Sequence, residues 1–367
     1  MKRRKFLDYL GKFLVASSLY PTNIVKPYIT VEPNFELEGV YIVSGPRDRL
    51  DDKNKNVRAD CKPEIHCVVK AKHDGKIYYL SDVEKVVING KEIHPKDVKG
   101  LNMKIEWYKV EPKDRFYINS STPQWWDTPR YEETPMKDGV FGMEADVTPT
   151  ILENYGNIGT MRFKVKIEYK GQKLTTPGKE AVDERGIKEC VHRVSIRPDD
   201  TYLGWLDSFR NIPYIWGSAS LKGQEPPEEH QAEKYIGADC ADLLVAAWRA
   251  MGHRDVPYYY SGGFKPDGFY VKEGFAWVII EKAYLVGSVF YDEKTQRAIR
   301  IGEGRRKVKE GDIIYFGGHV GVLSKNNGLE GFLDKYDSYF DILFHEPMDR
   351  EFRDGYSMTF SVLRWME

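Results

Sequence analysis

The chain lacks any stretch long and apolar enough to read as a membrane span. It also lacks net charge: 55 Lys and Arg stand against 56 Asp and Glu, leaving −1 over 367 residues, and nothing in this balance points to a nucleic-acid partner. Cysteine is scarce, limited to Cys61, Cys67, Cys190 and Cys240. One disulfide is compatible with this set in an oxidising compartment, with Cys240 left free and an odd thiol over. Cys61 and Cys67 lie close together but have no second Cys/His pair at zinc-ligand spacing, so neither a metal nor any other cofactor is expected. What the chain does have is an ordinary globular composition, rich in Tyr and Trp, and a length that suits two domains.

The first residues, Met1-Lys2-Arg3-Arg4-Lys5-Phe6-Leu7, place a basic cluster ahead of the short apolar segment Phe13-Leu14-Val15-Ala16-Ser17-Ser18-Leu19, with Pro21 beyond. Arg3-Arg4 followed by Phe6-Leu7 resembles a twin-arginine export signal. Residues 1–30 are then a signal and the mature protein works in the periplasm or cell envelope of a prokaryote. Asp8 and Lys12 interrupt the apolar core, and the competing reading is an amphipathic helix on a cytoplasmic protein.

Residues 31–198 read as strands. Ile65–Val69, Lys85–Ile88, Lys104–Tyr108, Met161–Tyr169 and Val191–Ile196 alternate or run β-branched, and Asp74-Gly75, Asn89-Gly90 and Lys170-Gly171 mark turns between them. Without an intervening helical pattern, these strands suggest an all-β sandwich, with an immunoglobulin-like form suggested by Trp107 following a strand that bears Cys67. The proline-bounded loop with Trp125 and Trp126 suits either sugar stacking or an aromatic plug.

At Arg197-Pro198-Asp199-Asp200 the alternation gives way to helical spacing, and a second domain, 199–367, is expected to begin. Within it, Asp239 is a good N-cap, Ala241 to Met251 favours helix, and Gly252 ends it. Leu243, Leu244, Ala247 and Met251 share one face, and Cys240 sits at its N-terminal end. There the helix dipole and free N–H groups favour thiolate, although a lone cysteine is more often a buried structural one. Farther on, Asp312–Phe316, the turn pair Gly317-Gly318 and His319–Leu323 form a tight hairpin that presents His319. A third strand, Asp341 to His345, is expected to end in a second histidine.

Four ordered segments, Pro213-Tyr214-Ile215-Trp216-Gly217, Asp239-Cys240-Ala241-Asp242, Gly311-Asp312-Ile313-Ile314-Tyr315-Phe316 and His319-Val320-Gly321, resemble the motifs of the NlpC family of papain-like cysteine peptidases. The likeness covers Tyr202 to the C-terminus and implies an α+β domain with a helix on an antiparallel sheet. It implies Cys240 as nucleophile and His319 as general base, with Tyr214 over the sulfur and Trp216 in its supporting segment. The family's third residue falls on His345, with Asp334 and Asp337 as alternatives. It further implies a peptidoglycan stem peptide as substrate, attacked through a thioacyl intermediate. The same pair acting on another amide or an acyl group, or a non-catalytic envelope-binding protein, are the competing functions.

Two departures from the family pattern stand out. Ala241-Asp242 replaces the usual Ser-Gly, so Asp242 brings a carboxylate close to the thiol and would favour a cationic group in the pocket. A long insert, 253–307, reads either as a cleft wall or as a packed elaboration.

Overall fold

A computed structural model describes residues 34–98, 100–119, 128–137, 139–219 and 226–366. The export-signal reading of residues 1–30 and the Trp125-Trp126 loop lie outside the described residues. From Phe35 to the C-terminus the chain forms one compact unit.

Two sheets make up the first half. One orders Glu36–Gly45, Glu64–His73, Lys76–Ser81 and Lys96–Asp97, with Gly142–Glu144 added to Glu64–His73. The other orders Tyr131–Pro135, Lys104–Pro112, Gly159–Tyr169, Arg193–Arg197 and Lys55–Arg58, with Gln172–Thr175 on Gly159–Tyr169. Period-two alternation explains the layer between them: Ile65, Cys67, Val69 and Ala71 face Ile105, Trp107, Phe163, Val165 and Ile167 in one apolar cluster. The outward-facing Lys164 is satisfied instead by Glu133 and Glu180, at 2.7 and 2.9 Å. Asp74-Gly75, Asn89-Gly90 and Lys170-Gly171 each connect an antiparallel pair, and in each turn both residues have positive φ.

The first half is the expected all-β pair of facing sheets. Its edges differ from the mainly antiparallel pairing of the immunoglobulin form: Lys55–Arg58 pairs parallel with Arg193–Arg197 and Lys96–Asp97 parallel with Lys76–Ser81. No disulfide pins the sheets either, since all four cysteines are free.

The second half is also mostly β, and the papain-like α+β expectation is corrected accordingly. Among the described residues, 25 strands accompany three α-helices, α1 (Tyr202–Asp207), α2 (Cys240–Ala250) and α3 (Phe269–Lys272), of which only α2 exceeds two turns. The insert is the reason. Besides the single turn of α3, it supplies the strands Ala276–Val286, Val289–Asp292 and Arg297–Ala298, which lengthen one antiparallel sheet to eight strands. Beyond them the sheet continues through Thr359–Trp365, Ile313–Tyr315, Val320–Lys325, Ser338–Asp341 and Met348–Glu351. Leu243, Leu244 and Ala247 of α2 share an apolar cluster with Ile313, Val320 and Val322 of this sheet.

The halves interlock. Tyr214–Trp216 pairs parallel with Phe116–Ile118 of the first half, and Arg162 donates from Nη2 to the carbonyls of Lys234 and Tyr235, both at 3.0 Å. Ile215 and Ile236 complete a small apolar cluster with Val110, Tyr117 and Tyr131.

Buried in the first half, His192 lies 2.7 Å from the Ser44 hydroxyl, and burial pushes its pKa down from 6.5 to about 3. Below about pH 6.5 the unfolded chain takes up a proton here that the folded chain refuses, so the stability held at this site is present above that pH and lost as the pH falls. At about 1.4 kcal/mol per unit, acidification to pH 4 costs roughly 3 kcal/mol through this residue. Urea denaturation at pH 7 and pH 4 is expected to show His192→Gln losing less stability than wild type by about that amount; equal losses in both proteins would contradict the assignment.

Candidate active site

Cys240 is the first residue of α2, and Asp239 is its N-cap. Asp239 Oδ1 accepts from the backbone N–H groups of Ala241 and Asp242, each at 3.0 Å, while Oδ2 accepts from Gly217 N–H at 3.1 Å. One carboxylate therefore joins the helix start to the turn after Tyr214–Trp216. Gly217 sits in that turn with φ +72°, a left-handed conformation that glycine adopts without a Cβ clash.

Asp242 is fully buried, and its Oδ2 accepts from the Ser218 hydroxyl at 2.6 Å and from Ala219 N–H at 2.8 Å. Asp239 and Asp242 also interact directly through their carboxyl groups. Burial raises both pKa values, and the charge of Asp239 adds to the rise at Asp242, which is pushed well above the usual carboxylate range. Two such carboxyls cannot both ionise cheaply out of water, so Asp242 holds the proton. The expected cation-favouring pocket is thus not what Asp242 provides: its carboxyl is neutral and spent on the Ser218-Ala219 turn.

The Cys240 side chain is buried, with its sulfur against the backbone N–H of Val320, the residue after His319. That N–H favours thiolate. Burial and the neighbouring carboxylates, Asp239 first, outweigh it and push the thiol well above its ordinary pKa. The resting group is a thiol, and its activation requires a base.

His319 is also buried. Its Nε2 lies 2.7 Å from Oδ2 of the fully buried Asp341, while Nδ1 is shielded from solvent and has no hydrogen-bond partner. With the Nε2 proton donated to Asp341, Nδ1 carries the lone pair. Phe316 lies nearly parallel to the imidazole at 6.0 Å and Tyr356 is tilted against it at 5.3 Å, so the ring is held between aromatic neighbours.

The third residue is where sequence and structure diverge. His345 does not touch His319: its Nδ1 donates to the Glu346 carbonyl at 2.6 Å and its Nε2 accepts from Arg350. It stands behind the orienting carboxylate, 3.7 Å from Asp341 Oδ1. Asp334 and Asp337 instead organise their own loop, accepting from the backbone N–H groups of residues 327–336. The strand spans Ser338–Asp341, so the expected Asp341–His345 strand is displaced by several residues and His345 falls in the following bend. A signal for Asp341 was present: a lone carboxylate among Phe340, Ile342, Leu343 and Phe344 is a buried charge that requires a partner. Gly321 makes the approach possible, because a Cβ there would lie 2.8 Å from the Tyr339 ring and 3.3 Å from Asp341 Cβ.

Tyr214 is buried beside Cys240, and burial followed by the charges of Asp239 and Cys240 raises its hydroxyl pKa. Its ring packs 5.1 Å from Phe344, which meets Phe116 of the first half at 6.1 Å. Trp216 is exposed on the same short strand. On the other side, Ser261 of the insert donates to the Gly318 carbonyl at 2.9 Å, tying the insert to the hairpin that carries His319. A cleft of about 890 Å³ opens there, lined by Tyr315, Phe316 and Gly317 of the hairpin and by Asp267 of the insert, though by neither Cys240 nor His319. The insert is both readings at once: Phe264 and Tyr270 are core residues, and Asp267 is cleft wall.

Compared with family models, with curated proteins and with solved structures, the chain matches none. No helix among the described residues is long and apolar enough to cross a membrane.

A thiol held up by burial alkylates slowly at neutral pH. Peptide mapping after iodoacetamide treatment is expected to show the exposed Cys61 and Cys190 modified before Cys240, with the Cys240 rate still climbing above pH 9. A rate already level below pH 7 would mean a preformed thiolate.

Proposed function

We propose that the chain is a cysteine hydrolase of an amide bond, with Cys240 as nucleophile, His319 as general base and acid, and Asp341 as the residue that orients the imidazole. The observation that carries this reading is the buried, unpartnered Nδ1 of His319, fixed by Asp341 at Nε2 and one residue from the N–H that faces the Cys240 sulfur. The Cys240 thiol and His319 Nδ1 are not hydrogen-bonded in the resting structure; a buried imidazole nitrogen left without a partner costs stability, and an acceptor one residue from the N–H that faces the sulfur has a use for that position.

In the reaction, His319 Nδ1 takes the thiol proton as Sγ attacks the carbonyl carbon. The oxyanion develops at the start of α2, where the Cys240 N–H and the positive end of the helix dipole stabilise it. The imidazolium then protonates the departing amine, leaving a thioacyl enzyme. Water gives its proton to the same nitrogen, attacks the thioester, and restores the thiol. Asp341 stabilises the imidazolium formed in each half of the cycle.

The substrate reading, a peptidoglycan stem peptide cleaved in the cell envelope, rests on the ordered motifs that resemble the NlpC family and on the Arg3-Arg4 segment. A second reading, an acyl substrate, is favoured by the half-exposed rings of Phe116 and Phe344 beside Tyr214, an apolar rim suited to a hydrocarbon chain.

Purified sacculi and muropeptides test both. Wild type is expected to release a free amine from muropeptides, Cys240→Ala and His319→Ala to reduce turnover to background, and Asp341→Asn to lower kcat by about 10² or more with little change in KM. Undiminished cleavage by Cys240→Ala would sink the mechanism. Cleavage of an acyl thioester with none of muropeptides would move the assignment to the second reading.

A further inference from the structure

The strands that the insert adds to the sheet carry a feature that the catalytic reading does not use. A groove of about 1100 Å³ runs along this end of the sheet, bordered by Trp277, Tyr291, Arg297, the 300–307 loop and Phe332. Arg297, Arg300, Arg305, Arg306 and Lys307 all line it, and all are exposed. None of the five has a carboxylate partner among the described residues. Asp292 is the acid in the lining, and it is occupied by the Lys294 N–H and the Thr295 hydroxyl of its own turn. In a chain whose charges otherwise cancel, residues 294–307 hold six cations against Glu303 alone. Like charges so gathered repel one another and are relieved by an anionic ligand.

The groove is built rather than loose. Gly302 N–H donates to the Val308 carbonyl at 2.9 Å, Val308 N–H to the Arg300 carbonyl at 3.0 Å, and Lys307 N–H to the Gly304 carbonyl at 3.1 Å. Aromatic rings then set the guanidinium groups: Arg305 lies 5.2 Å from the Trp277 ring centre and Arg300 the same distance from that of Phe332. Trp277 is also covered by Arg364, at 5.5 Å, which is itself anchored to Asp312. Planar forks held in this way suit phosphate oxygens, which they bind in pairs, better than a point charge would. Because these rings are committed to arginines, they are poor platforms for stacking nucleobases, and recognition falls on the phosphates.

We propose that this groove is a binding site for a linear phosphodiester polymer without bases, a polyol-phosphate chain, that anchors the protein near its substrate. Thr359–Trp365 separates Ala276–Val286 from the hairpin that carries His319, and the groove adjoins the cleft beside that hairpin through Val278 and Lys294. Neither Cys240 nor His319 lines it.

Fluorescence anisotropy with labelled poly(glycerol phosphate) and the full chain tests the site directly, independently of any hydrolytic activity. Wild type is expected to bind, with affinity falling steeply as salt is raised. Arg305→Glu with Arg306→Glu is expected to weaken binding at least tenfold, and Arg300→Gln several-fold, both with unchanged circular dichroism and unchanged alkylation of Cys240. Absence of wild-type binding, equal affinity for polyglutamate of the same charge, or tighter binding of oligothymidylate would overturn the assignment. Should the double variant misfold, the single Arg300→Gln change and the salt dependence decide the matter.

Discussion

The double acceptance at Asp239 is the interaction on which the second half depends. One oxygen caps α2 and the other holds Gly217, so the helix start and the turn after the Tyr214–Trp216 strand are joined by a single carboxylate. Asp242 closes the knot from the same turn of helix, and keeping its proton prevents two adjacent negative charges from forming. With the knot in place, Cys240 has one position available to it, beneath the first residues of the Val320–Lys325 strand. The cost is visible in the sulfur itself, whose thiolate is disfavoured by the carboxylate that positions it.

That tension decides the type of chemistry. A cysteine at a helix start is ordinarily expected to ionise early, but here burial and the neighbouring carboxylates outweigh the helix dipole and the Val320 N–H. In the proposed reaction the proton leaves through His319 at the moment of attack. In that proposal the Asp341–His319 hydrogen bond has two effects: it selects the tautomer that can accept the proton, and it stabilises the imidazolium that results.

Much of this site was legible in the residues. The Asp239 cap, the Cys240 helix and the Gly317-Gly318 hairpin are governed by local rules of capping and turn chemistry, and all three stand in the structure. The turn pairs of the first half are equally local. What local pattern does not determine is partnership. Ile342, Leu343 and Phe344 prolong the apolar run of the third strand in sequence; Phe344 instead turns with φ +55° and breaks it, so Asp341 and not His345 reaches His319. The insert is governed by the same kind of non-local pairing. Its alternation is short and interrupted, and only pairing with Thr359–Trp365, far along the chain, makes its residues strands. The first half departs from the immunoglobulin form in the direction of edge pairing, which alternation along a single strand does not encode.

The parallel pair between Phe116–Ile118 and Tyr214–Trp216 has a consequence for how such a chain holds together. Arg115 supplies the carbonyl for Tyr214 N–H at 2.8 Å, and Asn119 donates to the Gly217 carbonyl at 3.2 Å. The strand that carries the tyrosine beside the thiol is therefore completed by backbone from the other half. A unit cut out after residue 198 would inherit the cysteine and the histidine but leave that strand an unpaired edge. The two halves are consequently one mechanical unit: a substitution near Phe116 acts on the segment that carries Tyr214, which lies far along the chain in the other half.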